Sequence, residues 1–332
     1  MIVVNWNRAA LLAECLASLR AQTVTDFETV VVDNGSTDDS RAVLAAAPGV
    51  RAVLLPTNTG FAGGANAGIR AATGRWLVLL NNDATVDPGW LAALAAAAAR
   101  HPDAGMLACK ILGHGPDAPI DNVGHLLYPD GLNRGHGRLE PDLGQFQEER
   151  EALFPSGCAA AYSRAMLDRV GLFEESFFAY GDDTDRGLRG RLAGFRCWYV
   201  PDAVVRHRYS GSSDPYSELK AFHVERNRIL VLLRCFPLHL VLLSPLWTAW
   251  RHLWQVHGLV TGKGAAARFA EQRSTGSLLR VALRAYWAAL RMLPATLRQR
   301  RRIQSARVLS PRRFRELLRH YRLSARELAL KD

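Results

Sequence analysis

The chain has 332 residues, 48% of them hydrophobic and 22% charged, with a net charge of +11; it can bury one large core, or one core plus an appendage, and it is not a disordered protein. The charge is uneven: residues 1–216 carry 19 Lys and Arg against 25 Asp and Glu, net −6, whereas residues 217–332 carry 23 against 6, net +17. Five scattered cysteines, Cys15, Cys109, Cys158, Cys197 and Cys235, form no CxxC pair, which argues against a disulfide framework or zinc knuckle and favours a reducing cytoplasm.

Met1-Ile2-Val3-Val4 reads as a strand leading to the polar Asn5 rather than as a secretory leader. Arg8 to Gln22 follows, with Leu11, Leu12, Cys15, Leu16 and Leu19 at helical spacing. Phe27 to Val32 is a second strand, and Ser36-Thr37-Asp38-Asp39 supplies N-cap chemistry for a helix running to Ala47. Arg51 to Leu55 is a third strand. The glycine- and asparagine-rich stretch Asn58 to Gly68 leads into a helix around Ala65 to Ala72, then a strand Trp76 to Leu80 and an alanine-rich helix Pro88 to Arg100. This alternation predicts an α/β, Rossmann-like, mostly parallel sheet with helices on both faces. From about 105 to 150 the pattern weakens into loops and short strands. Helices resume at Ser163 to Val170 and Thr184 to Leu192, Val204-Val205 is strand-like, and basic helical segments without strands follow Ser217.

Three apolar runs end in acids or amides: Val30-Val31-Val32-Asp33-Asn34-Gly35-Ser36, Leu77-Val78-Leu79-Leu80-Asn81-Asn82-Asp83 and Phe177-Phe178-Ala179-Tyr180-Gly181-Asp182-Asp183. Side chains at the carboxyl ends of parallel strands converge on one crevice, so these ends suggest a nucleotide, a metal and a base. Asp33 either accepts from a base imide N–H or caps its own turn. The glycines at 60, 63, 64 and 68 allow close backbone approach to a phosphate or sugar, or form a flexible connection; they match neither GxGxxG nor a P-loop. Asp83 is the only carboxylate of its trio and the candidate oxygen ligand for Mg²⁺ or Mn²⁺ on a diphosphate, with a turn cap as the competing reading. The acids of Asp182-Asp183-Thr184-Asp185 either favour a helix N-terminus or include a general base for a sugar hydroxyl. His207, ahead of Tyr209-Ser210-Gly211-Ser212-Ser213, is a candidate nitrogen ligand for the same cation.

Together, Val3-Val4-Asn5-Trp6-Asn7, Val31-Val32-Asp33-Asn34-Gly35-Ser36-Thr37-Asp38, Asn58 to Asn66, Asn81-Asn82-Asp83, Ser156-Gly157, Phe177 to Asp185 and His207 resemble the family 2 glycosyltransferases. These are inverting A-type enzymes, and the likeness is strongest to their bacterial rhamnosyltransferase-like branch, over roughly residues 1–215. The resemblance implies that Asn5 and Asp33 contact base and ribose, and that Asn58, Gly63 and Asn66 lie along the nucleotide and sugar. Asn81-Asn82-Asp83 then stands where the family binds metal, with His207 as a further ligand. Asp183 matches the general base, Asp182 replaces the usual Glu, and Gly157 and Tyr180 fall in the acceptor region. The implied reaction is direct displacement at the anomeric carbon with inversion: Asp183 takes the acceptor proton and the cation stabilises the departing nucleoside diphosphate. The implied donor is a nucleotide sugar such as dTDP-L-rhamnose. The implied domains are a catalytic 1–216, with a nucleotide-sugar half 1–104 and an acceptor half 105–216, and a basic helical 217–332.

In that last region the longest uncharged apolar stretch, Cys235 to Trp250, has 16 residues and contains Pro237 and Pro245, short of the roughly 20 a spanning helix needs. Trp247, Trp250 and Trp254 fall at i, i+3 and i+7, a stripe that suits either a membrane interface or core packing. With Arg298 to Arg302 and Arg312 to Arg322 adding positive charge, the expectation is a cytoplasmic protein peripheral on the inner face of the membrane, serving a glycan or polyprenyl-diphosphate-linked acceptor. A nucleic-acid-binding tail is the weaker rival, because no nucleic-acid module accompanies the charge, and no nucleic acid partner is expected. A non-catalytic sugar-binding module is a third reading, opposed by the retention of Asp83, Asp183 and His207.

Overall fold

Short runs of β-branched residues and leucine form the centre of the fold in the computed structural model, which describes residues 1–115, 117–208 and 216–331. The chain divides into two units. The first comprises Met1–His125, Gly135–Arg191 and Phe195–Ser212; the second comprises Leu126–Arg134, Leu192–Gly194 and Ser213–Asp332.

The elements begin β1 (Ile2–Asn5), α1 (Ala9–Arg20), β2 (Thr29–Asn34), α2 (Ser40–Ala45), β3 (Val50–Leu55), α3 (Gly60–Ala71), β4 (Trp76–Asn81), β5 (Ala84–Val86) and α4 (Trp90–Arg100). They continue with β6 (Ala104–Gly113), β7 (Ile120–Asn122), β8 (His125–Leu127), β9 (Asn133–Gly135), β10 (Arg150–Ala152), β11 (Ala159–Ser163), α5 (Arg164–Val170), α6 (Asp182–Leu192) and β12 (Arg196–His207). The main sheet runs β10-β12-β6-β11-β4-β1-β2-β3, with β5 beside β12 and β7 beside β6. Strands β3, β2, β1 and β4 are parallel, as are β6 and β12. Strand β11 lies antiparallel between β4 and β6 and joins the two parallel sets. Leu12, Cys15, Leu16 and Leu19 of α1 pack with Val3, Val31, Leu80 and Trp90 in the core, as the helical spacing requires. All five cysteines are buried, and none forms a disulfide among the described residues.

Three features depart from the sequence reading. Helix α3 starts at Gly60, so the glycine-rich stretch is helix rather than the approach to one. Its glycines are steric: a Cβ on Gly64 would meet Val4 Cγ1 at 2.6 Å, and one on Gly68 would meet Ile2 Cγ2 at 2.4 Å. The helix therefore lies against the sheet at a distance alanine would not permit. Second, the weak region after 104 contains the ten-residue β6, whose Lys110 is buried in an ion pair with Asp142 at 2.5 Å. A charge inside a buried strand obscures its apolar pattern. Third, β11, read as no element, is an alanine-rich strand buried throughout, and β12 extends far beyond Val204-Val205, with an irregularity between Val200 and Val204.

The second unit is helical: α7 (Glu218–Cys235), α8 (Leu238–Thr261), α9 (Gly264–Gln272), α10 (Thr275–Arg291), α11 (Leu293–Ser305), α12 (Pro311–His320) and α13 (Ala325–Leu330). Among the described residues no helix is long and apolar enough to cross a membrane. Trp247 and Trp254 pack on Tyr128, Leu323 and Ala325, and the Tyr128 hydroxyl donates to the Trp247 carbonyl at 2.9 Å. The expected tryptophan stripe is thus split, with only Trp250 of the three strongly exposed. The outward face of α8 instead presents Leu238, Leu242, Leu246, Leu253, Val256 and Val260.

Beneath α8 lies a buried charge cluster. Arg251 Nε donates to Asp130 Oδ2 at 2.7 Å and its Nη2 reaches Glu225 at 3.3 Å; Arg228 pairs with Glu225 and stands 3.7 Å from Asp130. Burial alone would raise the Glu225 pKa, but Arg251 and Arg228 hold it down at about 2. Two carboxylates face two guanidiniums, and removing one cation strands a charge in a dry site. Arg251→Ala is expected to lower the stability of the full chain by about 3–5 kcal/mol, read from urea unfolding; an unchanged midpoint would show that the cluster does not hold this unit together.

Candidate functional site

The site grows from the carboxyl ends of β1, β2 and β4. Parallel pairing sets Asn5 beside Asp33 and Val4 beside Asn81. Asn5 is fully buried; its Oδ1 accepts from Asn82 Nδ2 at 2.7 Å and its Nδ2 donates to Ser36 Oγ at 3.3 Å. That chain of amides ties the first and second strand ends to the third. The Asp33 side chain is also fully buried, with Oδ2 accepting from Arg41 Nε at 3.0 Å. Its Oδ1 is buried with no hydrogen-bond partner, the state of an acceptor awaiting a donor such as a base N–H.

The predicted residues on α3 and before it are committed within the protein. Asn58 Oδ1 accepts from Gly60 N at 2.8 Å and from Asn34 Nδ2 at 3.2 Å, closing the turn that starts the helix. Gly63 lies inside α3, where a Cβ would meet Thr59 Oγ1 at 2.5 Å. Asn66 accepts from Phe173 N at 2.9 Å and donates to Phe173 O at 3.0 Å and Glu175 Oε1 at 2.9 Å. Its amide anchors the segment that leads to the acidic helix, a role the sequence did not suggest.

Asp83 and His207 do meet. Strand β5 pairs antiparallel with β12, setting His207 opposite Ala84, so His207 Nε2 stands 3.4 Å from Asp83 Oδ1. That oxygen is buried and no hydrogen bond reaches it. The other ring nitrogen, Nδ1, lies 2.8 Å from Asp121 Oδ2, a partner brought in by β7 pairing with β6. Burial by itself would lower the His207 pKa; Cys158, Asp121 and Asp83 outweigh it and hold the imidazole well above its usual range. Asn81 sits at the end of β4, its backbone N–H donating to Cys158 O at 2.8 Å. No cluster of three or more such side chains forms a complete cage among the described residues. An orphaned carboxylate oxygen facing a carboxylate-oriented imidazole nevertheless fits a Mg²⁺ or Mn²⁺ ion held by few protein ligands plus phosphate and water oxygens. The loop Tyr209 to Ser213 after His207 lies outside the described residues.

The two acids of α6 have different surroundings. Asp182 is buried, and burial first, then Asp183 and Asp185, pushes its pKa up to about 8. Its side chain is withdrawn from solvent, unlike that of its neighbour. Asp183 is 17% exposed. Its Oδ1 accepts from Thr184 N at 2.7 Å and its Oδ2 from Gly157 N at 3.2 Å, so the acceptor-region Gly157 touches the predicted base directly. Before α6 the backbone takes positive φ at Phe178, Tyr180 and Gly181, a costly conformation for two aromatics. Gly60 allows it, because a Cβ there would meet Phe178 O at 2.3 Å.

Two residues here escaped the sequence reading. Asp121 orients His207, and His125 places Nε2 3.9 Å from Asp183 Oδ2 while stacking on Phe154. Burial pushes the His125 pKa down, against Asp183 and Asp121. Asp121-Asn122-Val123-Gly124-His125 is an acid–amide–glycine–histidine run of the kind that would have flagged it, set in a region of weak periodicity.

Residues 1–171 match the family described as Glycosyl transferase family 2. The chain is 31% identical over 264 residues to the N-acetylglucosaminyl-diphospho-decaprenol L-rhamnosyltransferase of Mycobacterium tuberculosis, covering 67% of this chain and 80% of that protein. It is 30% identical over 224 residues to the O-antigen biosynthesis protein RfbC of Myxococcus xanthus, covering 64% of this chain and 17% of that protein. By fold it is similar to S. aureus TarS 1-349 in complex with UDP-GlcNAc, with a TM-score of 0.56, 18% identity and coverage of 96% and 90%. It is also similar to the mannosyltransferase PcManGT from Pyrobaculum calidifontis in complex with GDP-Man and Mn2+, with a TM-score of 0.51, 20% identity and coverage of 92% and 84%. The strand-end acids, the mixed sheet with its A-type glycosyltransferase neighbours and the match over half the chain agree: the protein belongs to glycosyl transferase family 2 and is a glycosyltransferase of the rhamnosyltransferase-like kind.

Proposed function

We propose that the chain transfers L-rhamnose from dTDP-L-rhamnose, with inversion, to a polyprenyl-diphosphate-linked glycan in cell-envelope polysaccharide synthesis. The observation that carries a diphosphate donor is the buried, hydrogen-bond-free Asp83 Oδ1 facing His207 Nε2 at 3.4 Å. The relative named for diphospho-decaprenol and L-rhamnose supports the choice of donor and acceptor.

In this reading Asp33 Oδ1 accepts from the nucleobase, and Asn5 and Asn82 hold the strand ends around the ribose. Asp83 and His207 hold Mg²⁺ or Mn²⁺, which supplies charge neutralisation for the leaving diphosphate when bound. Asp183, tethered through Gly157 N but still reached by solvent, takes the proton of the acceptor hydroxyl as that oxygen attacks the anomeric carbon. The acceptor settles near Gly157 and Tyr180.

Asp183→Asn keeps the shape and removes the base. Transfer is expected to fall by roughly 10²–10⁴-fold while the donor still protects the protein against thermal unfolding. Near wild-type transfer would refute the assignment. Asp83→Ala is expected to weaken donor binding at least tenfold in Mn²⁺ and to abolish the metal response of donor protection. Retention of both by the variant would remove Asp83 from the ligand set.

We further propose that residues 217–332 hold the enzyme on anionic bilayers, through net +17 and the outward apolar rows of α8 and α10. In flotation with phosphatidylglycerol vesicles, high salt should weaken but not eliminate binding, because it screens arginine and leaves apolar burial intact. The double substitution Leu242→Asp and Leu246→Asp should reduce flotation severalfold. Equal flotation of variant and parent, or none by the parent, refutes the anchoring role.

A further inference from the structure

A cavity of about 430 Å³ lies within the C-terminal unit among α7, α8, α9 and α10. Val224, Leu259, Ala266, Phe269, Val281 and Ala282, from all four helices, form much of its wall. The size is ordinary for a small-molecule site, but such sites usually add several convergent polar groups. Here the charged lining is Lys220, Arg251 and Glu225, of which Arg251 and Glu225 are already paired with each other and Arg251 also with Asp130.

The cavity is also open to the surface. Val256 and Leu279 line it and are 56% and 63% exposed. Each belongs to an outward row: Val256 stands with Leu253 and Val260 on α8, and Leu279 with Leu283 and Leu290 on α10. Apolar surface therefore runs from the helix faces into the cavity at Val256 and Leu279, which is how a hydrocarbon chain could enter. The surrounding charge selects among occupants. Residues 217–332 carry net +17, which repels a second copy of this chain and attracts a ligand with an anionic end.

We infer that this cavity binds the isoprenoid chain of a polyprenyl diphosphate, with the diphosphate left outside it in the field of this strongly cationic unit. The inference rests on the lipid-linked acceptor reading and gives that acceptor a second point of attachment in the C-terminal unit. The probe is a farnesyl diphosphate analogue with a diazirine in its terminal isoprene, photolysed with the full chain and mapped by peptide mass spectrometry. Saturable labelling confined to Ala266–Phe269 and Leu278–Ala282 is expected, competed by farnesyl diphosphate and not by inorganic diphosphate.

Ala282→Trp fills the cavity and should reduce labelling at least tenfold, with folding checked by circular dichroism. Leu279→Glu, at an exposed position that folding does not depend on, should also reduce it by placing a negative charge at the mouth. Leu143→Ser, exposed in the first unit and outside the lining, should label as the parent does. Labelling scattered along the outer face of α8, full labelling of both cavity variants, competition by inorganic diphosphate, or a dimer abolished by Ala282→Trp would each overturn the proposal. Labelling needs no sugar transfer, so failure of the rhamnosyl assay leaves this test readable, and failure of labelling leaves the donor site untouched.

Discussion

A buried carboxylate needs a partner for its charge, and Asp83 Oδ1, which no hydrogen bond reaches, has His207 Nε2 at 3.4 Å. Much of the first unit can be understood as the framework that keeps it there. Strand β4 delivers Asp83 at its end, β5 pairs with β12 to bring His207 opposite, and β7 brings Asp121 to the far nitrogen of the same ring. Three segments distant in sequence thus fix one carboxylate–imidazole–carboxylate line. A side-chain line of that kind keeps its geometry only if all three backbones are rigid, and the sheet supplies that rigidity.

The acidic helix α6 obeys a related constraint. Its sequence is polar, yet Arg186, Arg189 and Arg191 are buried. Arg189 satisfies the carbonyls of Val170 and Leu172 at 2.6 and 2.9 Å and pairs with Asp185, while Arg191 pairs with Glu151 at 2.6 Å. Gly187 and Gly190 let it lie against Phe154 and Met166. Arginine is suited to this because its fork can serve several buried acceptors at once. The helix is thereby fixed at its polar face, and its first turn separates two adjacent acids into a buried Asp182, its pKa raised, and a partly exposed Asp183.

The C-terminal unit distributes its residues the other way round. Charged groups such as Asp130, Arg228 and Arg251 are inside, with Glu225 partly buried beside them, whereas Leu242, Leu246 and Val260 are outside. In this cluster Asp130 and Glu225 face Arg228 and Arg251, so the desolvation of these four is offset by pairing. The exposed leucines have no such offset in water. The first unit, by contrast, keeps its apolar residues in its core.

Period and strand-end chemistry made the parallel half of the sheet legible: β1 to β4 and their helices follow from local patterns, and so do Asp33, Asp83, Asp183 and His207 as the residues to watch. The antiparallel β11, the long β6 and the first part of β12 were not legible, because alanine and a buried lysine erase the alternation that marks strands. Glycine told of close approach but not of what approached: at 63, 64 and 68 it is the protein's own chain. Three tryptophans at helical spacing gave a face without saying whether that face was wet, and packing turned Trp247 and Trp254 inward. Which residues carry chemistry was fixed by the sequence, since a carboxylate's or imidazole's acid–base and ligand character is intrinsic. Which of them share a site was decided only by tertiary structure, because the pairings Asp83–His207, His207–Asp121 and Asp183–Gly157 join residues 26 to 124 positions apart, and no local periodicity records a contact made through the register of a sheet.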